Sequence, residues 1–154
     1  MTRVMATGVF DILHVGHIYF LEEAKKLGDE LVVVVATDHI AEKMKHRAIT
    51  PQELRARMVS ALKVVDKVVI GRETDIYKTV EDIRPDIIVL GYDQLHDEVE
   101  LKNELNKRGL KDVKIVRLAK FQGDMSATRE IIRKVIAWYL LQKKLGEVEG
   151  EQKK

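Results

Sequence analysis

Two histidines near the N-terminus have the type and spacing to bind a phosphate group. His14 and His17 flank Gly16 where a short apolar run gives way to a helical pattern, and Gly8 ends that run. The first turn of a helix has free backbone N–H groups and the positive end of the helix dipole, so it attracts anions. Imidazoles there can donate N–H bonds to phosphoryl oxygens, and Gly16 leaves room for a nucleotide against the backbone. The sequence therefore predicts a nucleotide phosphate site in this loop.

The same loop has other interpretations. A single histidine near a helix start is usually a cap or a packed residue, but two around a glycine at a strand-to-helix turn favour a function. Zinc would need a third ligand or a neighbouring glutamate of the zincin type, which the sequence does not place there. An NAD-dependent dehydrogenase would need a G-x-G-x-x-G turn and an ATPase would need a P-loop. After Gly8, the only other glycine in this loop is Gly16, so the loop matches neither glycine motif.

Polar residues also cluster at three later points in the chain. Residues 43–47 read Lys-Met-Lys-His-Arg, and Arg55 follows on the next predicted helix. Residues 91–94, Gly-Tyr-Asp-Gln, end a predicted strand with groups that suit a nucleotide base and ribose. Ser126 and Thr128 lie where the last helix begins. Each cluster also has a structural interpretation, as a solvated helix face, a turn and ordinary N-caps respectively.

The elements that would position these residues alternate between short strands and helices. The strands are predicted at residues 3–7, 31–37, 67–70, 86–90 and 113–118. They are continuous apolar runs, as expected for strands that are covered on both faces. This order predicts an α/β fold, with a Rossmann-like, doubly wound, parallel five-stranded sheet in a single domain. Ligands of such sheets bind at the carboxyl ends of the strands, near the switch point in strand order.

Helical spacing and capping residues predict the helices between the strands. They are expected at about residues 18–27, 51–62, 76–83, 98–108 and 126–144. Thr50 is the predicted N-cap of the second helix, with Pro51 in its first turn and Glu53 completing a capping box. The core-facing residues of that helix are predicted to be Leu54, Met58, Ala61 and Leu62. The domain is expected to span residues 1–145, followed by a disordered polar tail at 146–154.

Composition limits the classes of function. The 154 residues are 45% hydrophobic, enough for a core, and include no cysteine, which excludes disulfides, thiolate zinc sites and a cysteine nucleophile. Lys and Arg number 27 against 25 Asp and Glu, so the formal charge of +2 does not suggest a nucleic-acid or membrane-surface binder. Neither a signal-peptide pattern nor a membrane-spanning run is visible. We therefore expect a cytoplasmic protein without nucleic-acid or membrane partners.

The run Gly8–His17, Gly-Val-Phe-Asp-Ile-Leu-His-Val-Gly-His, resembles the G-T/V-F-D-x-x-H-x-G-H signature of the cytidylyltransferase-like nucleotidyltransferases. The similarity continues through Leu27–Val33 to the last helix and covers most of residues 3–135. Within that superfamily, the turn at 91–94 is most similar to archaeal FAD synthases, whereas cytidylyltransferases tend to have an acid in place of Tyr92. The resemblance implies in-line transfer of AMP from ATP to the phosphate of FMN. It further implies Mg²⁺ with the ATP and a homodimer.

The resemblance also implies roles for individual residues. His14 and His17 would contact the α-phosphate, Lys45 and Arg55 would neutralise the triphosphate or acceptor phosphate, and these four form the expected catalytic group. The other expected nucleotide-binding residues are Gly8, Val9, Phe10, Gly91, Tyr92, Asp93, Ser126, Thr128 and Arg129. Ser126 and Thr128 would hold the β- and γ-phosphates. Alternative basic residues are Lys43, Arg47 and Arg57 near the triphosphate, Arg133 in place of Arg129, and Lys120 before the last glycine turn.

Besides the NAD-dependent dehydrogenase, which lacks its glycine turn, two other functions stay open on the sequence. One is a cytidylyltransferase that uses CTP and glycerol 3-phosphate or a related phosphoalcohol, because the histidine motif does not determine the substrate. The other is a nucleotide-sensing module without catalysis, because binding and catalytic residues coincide in a site of this kind. No residue is expected to hold a metal ion directly.

Overall fold

Five parallel strands form one sheet in the computed structural model, which describes residues 1–44, 47–94 and 96–152. The strands are β1 (Arg3–Gly8), β2 (Glu30–Val35), β3 (Lys67–Ile70), β4 (Ile87–Leu90) and β5 (Lys114–Arg117). Their order in the sheet is β3-β2-β1-β4-β5, and every neighbouring pair is parallel. The predicted single-domain α/β fold with a parallel five-stranded sheet is confirmed.

Helices connect these strands and follow the last one. In the described residues they are α1 (Val15–Lys25), α2 (Asp38–Lys43), α3 (Gln52–Ser60), α4 (Ile76–Ile83), α5 (Glu98–Lys107) and α6 (Thr128–Gln152). His14, Asp75 and Asp97 cap α1, α4 and α5, because each side chain accepts backbone N–H bonds of the first turn. Among these described helices, none is both long and apolar enough to cross a membrane.

The core lies on both faces of the sheet. Along β1, Val4 and Ala6 pack on one face and Met5 packs on the other, because successive side chains of a strand alternate. Leu21 and Ala24 of α1 cover the first face together with α3, and α4 and α5 cover the second. β2 is buried from Leu31 to Val35 without interruption, which explains its continuous apolar sequence.

The strand order reverses between β3 and β4. β1, β2 and β3 extend the sheet in one direction, and β4 then pairs with the opposite side of β1. The loops that follow β1 and β4 therefore leave neighbouring strand ends and separate there. Open parallel sheets bind ligands at this position.

The buried face of α3 differs from the prediction. Leu54 and Met58 are 50% and 58% exposed, whereas Arg55 and Val59 are buried. The predicted core positions Leu54 and Met58 are therefore wrong, because the Arg55 guanidinium finds protein acceptors and can be buried. The predicted cap is wrong as well, since Pro51 precedes the helix without a side-chain cap bond.

α6 extends further than the sequence indicated. A polar tail is predicted from residue 146, but the helix continues into that segment and ends at Gln152. No proline interrupts the chain after residue 144, and its glutamates and lysines are good helix formers. The domain boundary at residue 145 stays a prediction.

Candidate active site

The N-terminal ends of α1 and α6 meet beside the carboxyl end of β1. A side chain at Gly16 would clash with the backbone oxygen of Ser126, so the two turns are in direct contact. The charges of Asp93, after β4, and Glu130, on α6, both act on the imidazole of His14. The structure therefore brings together three of the four predicted regions, which are far apart in the chain.

The two histidines form a stacked pair with defined hydrogen bonds. Their ring centroids lie 3.8 Å apart with 22° between the planes. His14 Nδ1 accepts from the N–H of Gly16 at 3.1 Å, and His17 Nδ1 accepts from the N–H of His14 at 3.4 Å. A nitrogen that accepts carries no proton, so the proton of each neutral ring lies on Nε2. Each ring therefore has an Nε2–H donor to offer to a phosphoryl oxygen.

Both imidazoles are held in their neutral form. Burial lowers the pKa of His14, and the nearby carboxylates of Glu130 and Asp93 only partly oppose this shift. Burial also lowers the pKa of His17 to about 4, with a further contribution from His14 and a smaller opposing one from Asp11. At neutral pH the pair consequently presents N–H donors without an internal repulsion between two positive charges.

The loop between β1 and α1 has a strained backbone. Phe10 and Ile12 have φ angles of 54° and 47°, in a region of backbone conformation that residues other than glycine rarely adopt. Phe10 is buried, its ring faces His17 with centroids 5.5 Å apart, and a side chain at Gly8 would come within 2.9 Å of the Phe10 ring. Gly8 and Phe10 thus shape the loop that positions the histidines, and Val9 contributes a backbone acceptor described below.

Asp11 joins three segments beneath this loop, and the sequence interpretation gave it no role. Its buried carboxylate accepts from the N–H groups of Ile49 and Thr50 at 2.6 and 3.1 Å. Its carbonyl accepts from Thr128 Oγ1 at 3.2 Å. A lone acid in an otherwise apolar loop was the available signal, because a buried carboxylate requires hydrogen-bond donors.

Arg55 lies beneath the site rather than on its surface. The residue is 1% exposed, and its guanidinium donates to the carbonyls of Thr50 and Val9 and to the carboxylate of Asp38, at 2.8, 2.6 and 2.7 Å. A side chain this buried has no face toward a phosphate in this conformation. In this structure protein acceptors engage its three nitrogens, as expected for a positioning residue, and a contact of Arg55 with phosphate stays a prediction.

The structure gives less information on the other basic residues that are predicted near the triphosphate. Lys45, like His46, lies outside the described residues. Lys43 and Arg47 on either side are exposed, as is Arg57 on α3. Since Asp11 holds the backbone of Ile49, the segment from 47 to 50 is fastened to the histidine loop.

The turn after β4 closes onto the end of β1 through one amide. Gln94 Oε1 accepts from the N–H of Gly91 at 2.8 Å, and its Nε2 donates to the Thr7 carbonyl at 2.7 Å. Tyr92 is 48% exposed and Asp93 is also exposed, so both side chains can meet a ligand. The Lys120 ammonium lies 5.6 Å from the centre of the Tyr92 ring, which is a cation–π distance.

Arg117 at the end of β5 fastens the same turn from behind. Its Nη1 donates to the carbonyls of Gly91 and Gln94 at 2.8 and 2.9 Å, and Nη2 donates to that of His96 at 2.8 Å. Nε donates to the Glu98 carboxylate at 2.7 Å. The sequence interpretation missed Arg117, although a charged residue that ends an apolar strand was a signal.

The turn before α6 contains a buried hydroxyl with an unused hydrogen bond. Ser126 is buried, and its Oγ has no partner among the described residues. The preceding Met125 has a φ of 58°, and its N–H donates to Glu130 at 3.0 Å. A buried hydroxyl without a partner is costly, so an incoming phosphoryl oxygen would relieve it. Arg129 is exposed on the first turn of α6, as is Arg133 one turn later.

Comparisons with known proteins show the family to which this chain belongs. The family model described as cytidylyltransferase-like matches residues 5–137. The chain is 60% identical to an FAD synthase of Aciduliprofundum boonei over 137 residues, 88% of this chain and 91% of that protein. It is 52% identical to an FAD synthase of Thermoplasma volcanium over 136 residues, 88% of this chain and 95% of that protein.

A solved structure is similar as well. The crystal structure of a protein described as a lipopolysaccharide core biosynthesis protein from Thermoplasma volcanium superposes with a TM-score of 0.77. Its sequence is 56% identical, and the match covers 79% of this chain and 99% of that one. The histidine turn thus lies within a stretch that a family shares, and the fold is one that a close relative adopts.

Proposed function

The chain belongs to the cytidylyltransferase-like family, and from that premise we propose that it transfers AMP from ATP to the phosphate of FMN, giving FAD and pyrophosphate. The family predicted from Gly8–His17 is confirmed. The observation that carries the substrate assignment is the similarity to FAD synthases, 52–60% identity over 88% of this chain. A nucleotidyltransferase also accounts for neutral donors gathered at two helix N-termini.

The reaction needs charge stabilisation more than it needs a protein nucleophile. A phosphate oxygen of FMN attacks the α-phosphorus of ATP, and the bond from that phosphorus to the α,β-bridging oxygen breaks as pyrophosphate leaves in line. Negative charge grows on the equatorial and leaving oxygens, so correctly placed N–H donors lower the barrier. His14 and His17 supply two such donors through Nε2–H, and the first turns of α1 and α6 supply backbone N–H groups.

The outer phosphates are assigned to the turn before α6. The unpaired hydroxyl of Ser126 can donate to a β- or γ-phosphate oxygen, with Arg129 close by in the chain. Thr128 already donates its hydroxyl proton to the Asp11 carbonyl, and phosphate oxygens only accept hydrogen bonds. We therefore assign Thr128 to holding this turn in place. Lys45 is assigned to charge neutralisation of the triphosphate, as the sequence predicts.

The loops after β1 and β4 are assigned to the nucleoside. Gly8, Val9 and Phe10 would contact it through the backbone, because Val9 and Phe10 otherwise serve packing and hydrogen bonds within the protein. Gly91, Tyr92 and Asp93 would contact the base and ribose, since the two side chains are exposed at the crevice.

The ATP is proposed to bind as its Mg²⁺ complex. In residues 1–44, 47–94 and 96–152, no group of three or more histidines and carboxylates could hold a metal ion by itself. Mg²⁺ commonly binds through substrate phosphates with few protein ligands, which fits a site of this composition. The ion would add positive charge beside the triphosphate. A cytoplasmic location, a homodimer and the absence of nucleic-acid and membrane partners stay predictions.

A substrate panel tests the proposed function. The purified protein is mixed with ATP or CTP and with FMN or glycerol 3-phosphate, and pyrophosphate and FAD are measured. We expect the fastest pyrophosphate release with ATP and FMN, with one FAD formed for each pyrophosphate. Faster release with CTP and glycerol 3-phosphate would indicate the cytidylyltransferase instead, and nucleotide binding without turnover would indicate a sensing module.

A further inference from the structure

The turn before α6 has an uncommon backbone conformation that the surrounding structure must hold. Met125 has a φ of 58°, which residues other than glycine rarely adopt. Such a conformation persists only where neighbouring groups impose it. The next residue is Ser126, whose buried hydroxyl has no partner among the described residues. The conformation of Met125 therefore affects where the Ser126 hydroxyl and the following backbone N–H groups point.

Glu130, the third residue of α6, holds this turn. Its Oε2 accepts a hydrogen bond from the N–H of Met125 at 3.0 Å, across five positions of the chain. A glutamate at this position of a helix usually accepts instead from the N–H of the residue just before the helix. That residue is Ala127 here, and its carbonyl accepts the first N–H bonds of α6. Because Glu130 reaches back two residues further, its hydrogen bond closes a ring that contains Ser126 and Ala127.

Two contacts with other elements hold the rest of the turn. A side chain at Gly16 would come within 2.3 Å of the Ser126 carbonyl oxygen, so this carbonyl lies against the start of α1. Thr128 Oγ1 donates to the Asp11 carbonyl at 3.2 Å. Glu130 adds a third attachment, at the backbone before Ser126. The turn is therefore held at its beginning, its middle and its end.

The charge of Glu130 acts against the binding of phosphate. Burial lowers the pKa of His14, and the carboxylate of Glu130 is the larger of the two charges that oppose this shift. The carboxylate is thus close to an imidazole that is assigned to the α-phosphate, and it would repel the negative charges of a triphosphate. Any benefit of Glu130 for phosphate binding must therefore come from its hydrogen bond and not from its charge.

We propose that Glu130 is a positioning residue for the outer phosphates of the nucleotide. By accepting the N–H of Met125, it directs the Ser126 hydroxyl and the N–H groups of the first turn of α6 toward the β- and γ-phosphates. Glu130 itself touches no phosphate in this assignment. The inference rests on the proposed function, because it needs a triphosphate at the turn before α6.

Nucleotide binding without turnover tests this role. Isothermal titration calorimetry of the full chain with ATP and Mg²⁺, in the absence of FMN, gives the dissociation constant for ATP. Glu130→Ala should raise this constant about 10-fold, the scale for loss of one hydrogen bond. Glu130→Gln should bind ATP at least as tightly as the wild type, because its amide oxygen can accept the same N–H without repelling the phosphates. AMP has no outer phosphates, so neither variant should bind it more weakly.

Two further variants separate this role from a general effect on helices. Glu100 is also the third residue of its helix, α5, and is exposed, so Glu100→Ala should leave the dissociation constant for ATP unchanged. Ser126→Ala should weaken ATP binding by itself. The double variant Ser126→Ala/Glu130→Ala should lose less than the sum of the two single losses, because Glu130 acts through Ser126 and the neighbouring backbone. Circular dichroism checks that each variant is folded.

Three results would overturn the proposal. The first is a wild-type chain that binds ATP no more tightly than AMP, since the turn would then hold no outer phosphates. The second is an equal effect of Glu130→Ala and Glu130→Gln on ATP binding, because the charge and not the hydrogen bond would then matter. The third is ATP binding by Glu130→Ala that is as tight as that of the wild type.

A separate measurement shows whether the proposed function itself fails. If the wild-type chain forms no FAD from FMN and ATP, the assignment of the reaction is wrong, whereas the titrations with ATP and AMP still report on Glu130. If FAD is formed but the titrations give any of the three contrary results, only the role of Glu130 is wrong.

Discussion

The two loops at the switch point are built in different ways. The loop after β1 buries Phe10 and Asp11, has two residues at positive φ, and is held in place by hydrogen bonds of Asp11 and Arg55. The turn after β4 exposes its side chains and is fastened from behind by Arg117. Hydrogen-bond donors that stabilise a transition state must be held rigidly. Side chains that bind the nucleotide base can instead be exposed to solvent. The first loop is therefore expected to govern turnover and the second to govern substrate binding.

The largest effect is expected in the buried loop. His17→Ala removes one N–H donor and should lower the turnover of FMN and ATP about 100-fold or more, the scale for loss of one transition-state donor. FAD formation under saturating substrate measures it. His39→Ala is the control, since His39 is exposed on α2. Turnover that survives His17→Ala nearly intact would contradict the assigned role.

The support beneath that loop is expected to matter for stability. Arg55→Met leaves two carbonyls without their donor and should lower the free energy of unfolding by about 2 kcal/mol. Urea denaturation measures this, with Arg57→Met as the control because Arg57 is exposed on the same helix. If Arg55→Met raised the KM for substrate but left stability unchanged, Arg55 would be a phosphate ligand after all.

The open turn should respond differently. Arg117→Met releases the carbonyls of Gly91, Gln94 and His96, so the KM for ATP should rise about 10-fold while kcat changes little. Steady-state kinetics separates the two constants. Lys114→Met, at an exposed position of the same strand, should change neither. A 10-fold decrease in kcat would contradict the idea that the turn after β4 governs substrate binding and not turnover.

A further effect is expected in the pH dependence of stability. The pKa of His17 is lowered from 6.5 to about 4 on folding, so between these values the unfolded chain binds more protons than the folded one. The contribution of neutral His17 to the free energy of unfolding is therefore fully present above pH 6.5, and it is lost as the pH falls toward 4. Compared with His17→Gln, the wild-type Tm should therefore decrease more steeply over this window. Parallel curves for the two proteins would show that His17 is not held neutral by burial.

Much of the fold could be predicted because its signals are local. Continuous apolar runs indicated all five strands, with ends that differ from the structure by no more than two residues. The glycine and two histidines at the first turn indicated the family, and the phosphate site that they predict stays a prediction. The prediction of which face of α3 is buried was wrong, because apolar spacing cannot show that the Arg55 guanidinium will find three hydrogen-bond acceptors.

The sequence by itself determined the order of strands and helices, the histidine turn and the family, since each depends on neighbouring residues. Only the tertiary structure decided that Gly16 meets Ser126, that Asp11 holds Thr50 and Thr128, and that the second half of α6 is exposed. Those contacts join residues many positions apart, and a side chain chooses among distant partners only when packing brings them within hydrogen-bond reach.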